Sequence, residues 1–250
     1  MIKTMRRRRW TRPVQCAAVL ASLWLAACRS VPAPQALPAP APPAPALVPE
    51  RIDHYQIDAE RSQVLVLVYR DGAMAKLGHN HVLSVHSLSG DVVVPVDISR
   101  ASFRLEFPVA AMTIDEPVLR AGLGDDFSAP VDAASVDGTR THMLGEKLLD
   151  GAHFASIRLQ SRALRTEGDH WLASVRITVR DHDAFAELPV TPVVTADELS
   201  ASGEFDLTHA QLGLTPYSVG LGALRVAETI HIRYHLVARR SDPGAGANQP

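Results

Sequence analysis

Cysteine is scarce in this chain of 250 residues, which contains only Cys16 and Cys28. Both lie near the amino terminus, so the rest of the chain can form no disulfide, no cysteine metal site and no thiol nucleophile. Its stability must therefore come from an ordinary apolar core. A domain of about 190 residues is large enough to bury one.

The sequence also lacks the common catalytic motifs. It has no Gly-x-Ser-x-Gly elbow and no glycine-rich phosphate loop. Segment 181–183, Asp-His-Asp, falls in a predicted turn. Exposed polar residues are common in turns, so these three residues do not indicate a catalytic site. Four acidic residues lack the spacing of a calcium-binding EF-hand loop: Asp125, Asp126, Asp132 and Asp137. We therefore predict a binding protein that requires no cofactor, rather than an enzyme.

Positive charge is concentrated at the start of the chain, ahead of an apolar run over 16–25 that is too short to span a bilayer. Ala26 and Ala27 then precede Cys28, which resembles the lipobox of bacterial lipoproteins, whose cysteine is diacylated and becomes the first mature residue. We predict a signal peptide over 1–27 and lipid attachment at Cys28. The alternatives are an ordinary secretory signal cleaved nearby and an uncleaved anchor. The basic residues are Lys3, Arg6, Arg7, Arg8, Arg9 and Arg12.

The segment after Cys28 alternates proline and alanine, with no charge between Arg29 and Glu50. Such a segment favours extended polyproline II and can hold a domain up to ~60 Å from a membrane. We predict a tether over 28–50, a folded domain over 51–240 and a disordered tail over 241–250. Arg29 stands where inner-membrane lipoproteins carry aspartate, which favours the outer membrane, facing the periplasm.

Removal of the signal peptide changes the charge balance. Six of the 25 basic residues are lost, which leaves 19 against 27 acidic residues and a net charge of −8. This balance disfavours nucleic acid and anionic lipid headgroups as partners. Contact with the membrane is expected through the lipid anchor instead.

Alternation of apolar and polar residues dominates the predicted domain, and successive side chains in such a pattern lie on opposite faces of a strand. Helical spacing is scarce, and short helices are predicted only over 142–149 and 116–123. Eight or more strands without crossover helices favour an antiparallel sandwich or a closed β-barrel. The predicted strands cover 63–70, 82–96, 101–107, 155–162, 171–180, 185–190, 199–208 and 230–236.

Two histidines suggest a competing chemistry. His79 and His81 are two residues apart on a predicted strand, so both side chains are expected on one face, where they could ligate Zn²⁺ or Cu²⁺. His142 or His182 would complete the site. The alternative is a polar strand end whose imidazoles are hydrogen-bonded to neighbours or water.

A series of short motifs over 53–238 resembles, in order, the motifs of the YceI-like family. It begins with Tyr-Gln-Ile-Asp at 55–58 and Gly-His-Asn-His at 78–81. The chain differs from the family pattern at Thr141, at 180–183, at 209–213 and in a long insert over 122–137, and these segments are expected to shape the barrel mouth. The other matching segments are 62–66, 140–144, 155–161, 203–208, 212–217 and 226–232.

The resemblance implies an all-β, lipocalin-like antiparallel barrel of about eight strands, with one or two short helices, whose interior holds an isoprenoid or similar long-chain lipid. The alternatives are a barrel filled by its own side chains and an envelope interaction protein without a small ligand. The resemblance and the alternation together predict the lumen residues Phe103, Phe107, Trp171, Val175, Phe205, Leu207, Ile230, Ile232 and Tyr234.

Overall fold

The computed structural model describes residues 50–168 and 170–241. The predicted signal peptide, Cys28 and all of the tether except Glu50 lie outside the described residues, as does the predicted tail after Ser241, the last residue of a strand. The described elements are β1 (Ile52–Ile57), β2 (Gln63–Asp71), β3 (His81–Val85), β4 (Ser89–Pro95), β5 (Ser102–Pro108), β6 (Thr113–Ile114), α1 (Pro117–Ala121), α2 (Ala133–Leu144), β7 (Ser156–Glu167), β8 (His170–Val179), β9 (His182–Val194), β10 (Glu198–Thr208), β11 (Ser218–Val219) and β12 (Leu224–Ser241).

Eight of the strands form a closed antiparallel barrel, in the order β1, β4, β5, β7, β8, β9, β10 and β12. The ring closes where β1 pairs with β12, with Tyr55 opposite Arg240. This closure confirms the predicted all-β, lipocalin-like barrel of about eight strands and excludes the two-sheet sandwich. Because the ring is closed, none of these eight strands is left as an edge strand.

The long strand β12 carries a second set of strands beyond the ring. Its residues 225–235 pair with β2, which pairs with β3, which in turn pairs with the short β6. The pairing of β12 with β2 shifts register between Val226 and Ile230. A bulge of this kind bends a strand locally and increases its twist.

Two predicted elements differ from the structure. The strand predicted over 82–96 is two strands, β3 and β4, separated by 86–88. The helix predicted over 142–149 is wrong, since α2 begins at Ala133 and ends at Leu144. The Asp132 side chain accepts a hydrogen bond from Ser135 N at 2.7 Å, which satisfies one of the free amides at the start of the helix. Helix α1 lies within the predicted 116–123.

The insert over 122–137 packs outside the barrel. Phe127, which is 2% exposed, contacts Leu67 and Val82 on the outer face of β2 and β3. Strand β2 is therefore covered on both faces, which explains its unbroken apolar run from Val64 to Val68. Within the described residues, no helix has the length and apolar character needed to cross a bilayer.

Candidate functional site

The barrel encloses an apolar cavity of about 280 Å³. Most of its wall consists of inward side chains from the ring strands and from β2, and almost all of the lining residues are aliphatic or aromatic. One water molecule needs only about 10–15 Å³ of such volume, so this space is far larger than a packing defect. The side chains of this barrel therefore do not fill it, and the space is of the kind that an eight-stranded barrel offers to one small ligand.

Eight of the nine predicted lumen residues line this cavity. Val175 is the exception, because it is buried in the core among other side chains and does not reach the cavity wall. The roles of all nine in ligand binding stay predictions. The eight that line the cavity are Phe103, Phe107, Trp171, Phe205, Leu207, Ile230, Ile232 and Tyr234.

Further lining residues come from segments whose role the alternation pattern did not predict. Strand β2 contributes Val64, Val66 and Val68. Two methionines also line the cavity: Met112 lies near the carboxyl end of β5, and Met143 lies on α2. The run in β2 is apolar on both faces, so period 2 alone could not assign an inward face. The two methionines lie outside the strands, where period 2 gives no signal.

The two ends of the cavity differ. At one end, named here the closed end, segments 145–151 and 209–214 contribute to the cavity wall, and the lining residues Met143, Leu149 and Leu212 are buried. At the other end, named the mouth, lie Glu50 and the turns at 96–101 and 195–197. The lining residue Val194 at the mouth is 47% exposed. The cavity therefore opens at the mouth.

The segments that depart from the family pattern were expected to shape the mouth, and this expectation is wrong for two of them. Segment 209–213 lies at the closed end, and so does the turn at 180–183, where Arg180 Nη1 donates to Leu148 O at 3.2 Å. The insert over 122–137 lies mainly on the outer face of β2 and β3. The segments that differ from the family pattern thus lie at the closed end and on the outside of the barrel.

Polar groups on the cavity wall are few, and two of them are already hydrogen-bonded. Tyr234 Oη donates to Pro189 O at 2.5 Å, and burial raises the pKa of this phenol. Gly203 permits this bond, because a Cβ there would lie 2.8 Å from Tyr234 Oη and 2.4 Å from Pro189 O. Ser161 Oγ accepts a hydrogen bond from Phe103 N at 2.8 Å.

His79 and His81 do not share a strand, which corrects the basis of the predicted metal pair. Strand β3 begins at His81, and His79 precedes it. The two ring centroids lie 6.3 Å apart, and His81 Nδ1 lies 2.6 Å from Asp115 Oδ2. His81 therefore has a carboxylate partner without a metal.

The other predicted ligands lie elsewhere. His142 packs against the ring of Tyr217 with centroids 4.1 Å apart, and His182 Nε2 lies 3.0 Å from Gln211 O. Across residues 50–168 and 170–241, no three His, Cys, Asp or Glu side chains are grouped so that they could hold a metal ion. The described residues thus do not assemble the predicted third and fourth ligands.

Buried charges lie outside the cavity, beside the insert. Arg120 Nη1 donates to Asp115 Oδ1 at 2.5 Å and to Asn80 O at 2.7 Å, and Arg120 Nη2 donates to Ala129 O at 2.8 Å. Burial raises the pKa of Asp115, but the hydrogen bonds from His81, Val82 N and Arg120 outweigh it and lower the pKa below its ordinary value. This network fixes α1 and the insert to the barrel.

The fold and the cavity together define a class of protein, an antiparallel barrel with an open apolar cavity. Among solved structures, the chain is similar to BcnA of Burkholderia cenocepacia, with a TM-score of 0.53 and 14% sequence identity over 72% of this chain and 98% of BcnA. This likeness shows a shared fold. No protein-family model matches the chain, and no curated protein matches it.

Two other solved structures are similar at lower scores. One is a polyisoprenoid binding domain from Saccharophagus degradans, with a TM-score of 0.48 and 11% identity over 75% of this chain and 98% of that domain. The other is the YCEI protein of Campylobacter jejuni, with a TM-score of 0.47 and 6% identity over 64% of this chain and 85% of that protein.

Proposed function

We propose that this protein binds one long apolar molecule, an isoprenoid or similar lipid, inside its barrel, and that it does so without catalysis. The observation that carries the proposal is the apolar cavity of about 280 Å³, which is closed at one end and open at the other. The polyisoprenoid-binding function named for the domain from Saccharophagus degradans agrees with it.

Burial of the chain provides the binding free energy. Each methylene group that leaves water contributes about 0.8 kcal/mol, and the cavity wall offers apolar contacts along the whole barrel. The opposing cost of association is about 4–15 kcal/mol, so a long chain is favoured over a short one. Because the cavity wall is already formed in the protein, its side chains lose little further conformational entropy when a ligand binds.

The matched pair Ile232→Trp and Arg233→Trp tests the proposal. Ile232 lines the cavity, whereas the neighbouring Arg233 lies on the outer face and pairs with Glu204. The same indole is thus added inside or outside the barrel. With geranylgeraniol as the probe, Ile232→Trp should weaken binding at least about tenfold, about 1.4 kcal/mol, while Arg233→Trp binds as the wild type does.

Val66→Phe provides a smaller obstruction at another lining position, should Ile232→Trp fail to fold. Circular dichroism checks that each variant is folded. Unchanged affinity in a folded Ile232→Trp or Val66→Phe protein would overturn the proposal.

We further propose that the mature protein is a lipoprotein of the cell envelope, tethered through Cys28 to the outer membrane and facing the periplasm. The charge pattern and the lipobox-like segment before Cys28 support this location. Glu50, where the predicted tether ends, lies at the mouth of the cavity. The tether would therefore join the domain at the end where a lipid enters.

Cell fractionation tests the location. The wild type should incorporate labelled fatty acid and sediment with membranes, whereas Cys28→Ser should do neither. A wild-type protein that is unlabelled and soluble would contradict the proposed anchor while leaving the ligand proposal intact.

A further inference from the structure

His209 is an isolated polar residue at the closed end of the cavity. It directly follows β10 and is only 5% exposed. Its neighbours on the cavity wall at this end are apolar, and they include Met143, Leu149, Leu207 and Leu212. A polar side chain is costly in such surroundings unless it has a hydrogen-bond partner.

One of its two ring nitrogens has a partner. Nδ1 lies 3.0 Å from the carbonyl oxygen of Glu228, and a carbonyl oxygen can only accept, so Nδ1 carries a hydrogen. In the neutral ring, Nε2 is then an acceptor, and it has no hydrogen-bond partner within residues 50–168 and 170–241. A donor group on a bound ligand would therefore satisfy this acceptor.

The ring is held in place by its surroundings. His209 N donates to the same Glu228 oxygen at 3.0 Å, and Ala210 N donates to Glu228 Oε1 at 2.8 Å. The following turn is fixed as well, since Leu214 N donates to His209 O at 2.9 Å. The free acceptor is therefore presented by a rigid segment, which is the arrangement that positions a ligand group well.

Two other polar side chains on the cavity wall are already hydrogen-bonded. Tyr234 Oη and Ser161 Oγ bond to the main chain of Pro189 and Phe103, respectively. Ser102 and Trp171 lie toward the mouth, as the first residue of β5 and the second residue of β8, respectively. Among the side chains of the described residues that line the closed end, His209 thus carries the acceptor that remains free for a ligand.

We propose that His209 Nε2 accepts a hydrogen bond from a hydroxyl group at the end of the bound chain. The ligand is then a long-chain alcohol that binds with its hydroxyl at the closed end and its apolar tail toward the mouth. This inference rests on the proposed binding function and adds the polar group and the orientation of the ligand. His209 acts as a specificity-determining residue, because the apolar wall alone gives no preference for an alcohol.

Binding of two probes tests the inference: geranylgeraniol and the hydrocarbon of the same chain without the hydroxyl group. The wild type should bind the alcohol about tenfold more tightly than the hydrocarbon. His209→Leu should lose this preference and bind the hydrocarbon at least as tightly as the wild type does. His209→Gln, whose amide can donate to Glu228 O and accept from the ligand, should restore part of the preference.

His231→Leu is the matched control. His231 Nδ1 lies 2.6 Å from Asp206 Oδ1 on the outer face of the barrel, so its loss should leave the preference unchanged. A wild type with equal affinity for both probes, or a His209→Leu protein that still prefers the alcohol, would overturn the inference while the binding function stands. Failure of both probes to bind the wild type would overturn the binding function itself.

Discussion

His81 and Asp115 form a partly buried pair in which Nδ1 lies 2.6 Å from Oδ2, and the Asp115 side chain is 1% exposed. His81 Nε2 lies 3.4 Å from Thr139 Oγ1 on α2. The imidazole thus connects β3 to the segment before α1 and to α2. Its geometry is that of a structural bridge between the barrel and its outer layer.

His81→Ala should destabilise the protein by about 1–3 kcal/mol, because it leaves the buried Asp115 with one donor fewer. His79→Ala should change the free energy of unfolding by less than about 0.5 kcal/mol, since His79 makes no hydrogen bond within residues 50–168 and 170–241. Urea unfolding measures both values. Equal losses of bound zinc or copper from the two variants would instead support a shared metal site.

The pair of Asp115 and Arg120 should be the most sensitive polar contact outside the barrel. Asp115→Ala should cost about 3–5 kcal/mol, because it leaves the Arg120 guanidinium buried without its carboxylate. Combining it with Arg120→Met should recover part of this loss. A double-mutant cycle in which the two effects simply add would show that the pair does not interact.

Glu116 gives a pH dependence with a definite sign. Burial raises its pKa, but hydrogen bonds from Ser84, Thr113 and His86 outweigh this effect and lower the pKa to about 2. The stabilisation is therefore complete above the ordinary pKa of 4.5 and is lost as the pH falls toward about 2. NMR titration should find this low value, and Ser84→Ala should raise it. A carboxyl that titrates near 4.5 in the wild type would contradict the network.

Entry of the ligand at the mouth can be tested at two adjacent residues. Val194 lines the cavity, whereas Val193 lies on the outer face of the same strand with 57% exposure. A carboxylate at 194 adds a polar group to the path of an apolar chain. Val194→Asp should slow uptake of a fluorescent isoprenoid probe severalfold, and Val193→Asp should leave the uptake rate unchanged. Equal rates in all three proteins would place the entrance elsewhere.

Period-2 alternation predicted most strands of the barrel, as in β5, where Phe103, Leu105 and Phe107 alternate with polar residues. It did not predict β1, the strand that closes the ring, and it joined β3 and β4 into one strand. It could not predict α2, in which only Met143 is fully buried, so the apolar residues show no helical spacing. Alternation assigns a side chain to the inner face but not to the cavity wall, as Val175 shows. Cavity volume depends on the packing of all inward side chains together.

His209 could have been found from the sequence by extending the inward series of β10. Phe205 and Leu207 face the cavity, and His209 is the next residue of the same parity. A histidine in an otherwise apolar inward series is a buried polar group that needs a hydrogen-bond partner, which makes it a candidate for the contact proposed above. The position of segment 209–214 across the closed end was not predictable, because it depends on contacts with distant residues such as His182.

The most direct test of the account is mass spectrometry of an organic extract from the purified wild-type protein, with Ile232→Trp as the matched sample. The account predicts about one long-chain lipid per wild-type protein and a large loss of that lipid from the folded variant. A wild-type protein that yields no lipid and takes up none when isoprenoids are added would contradict it.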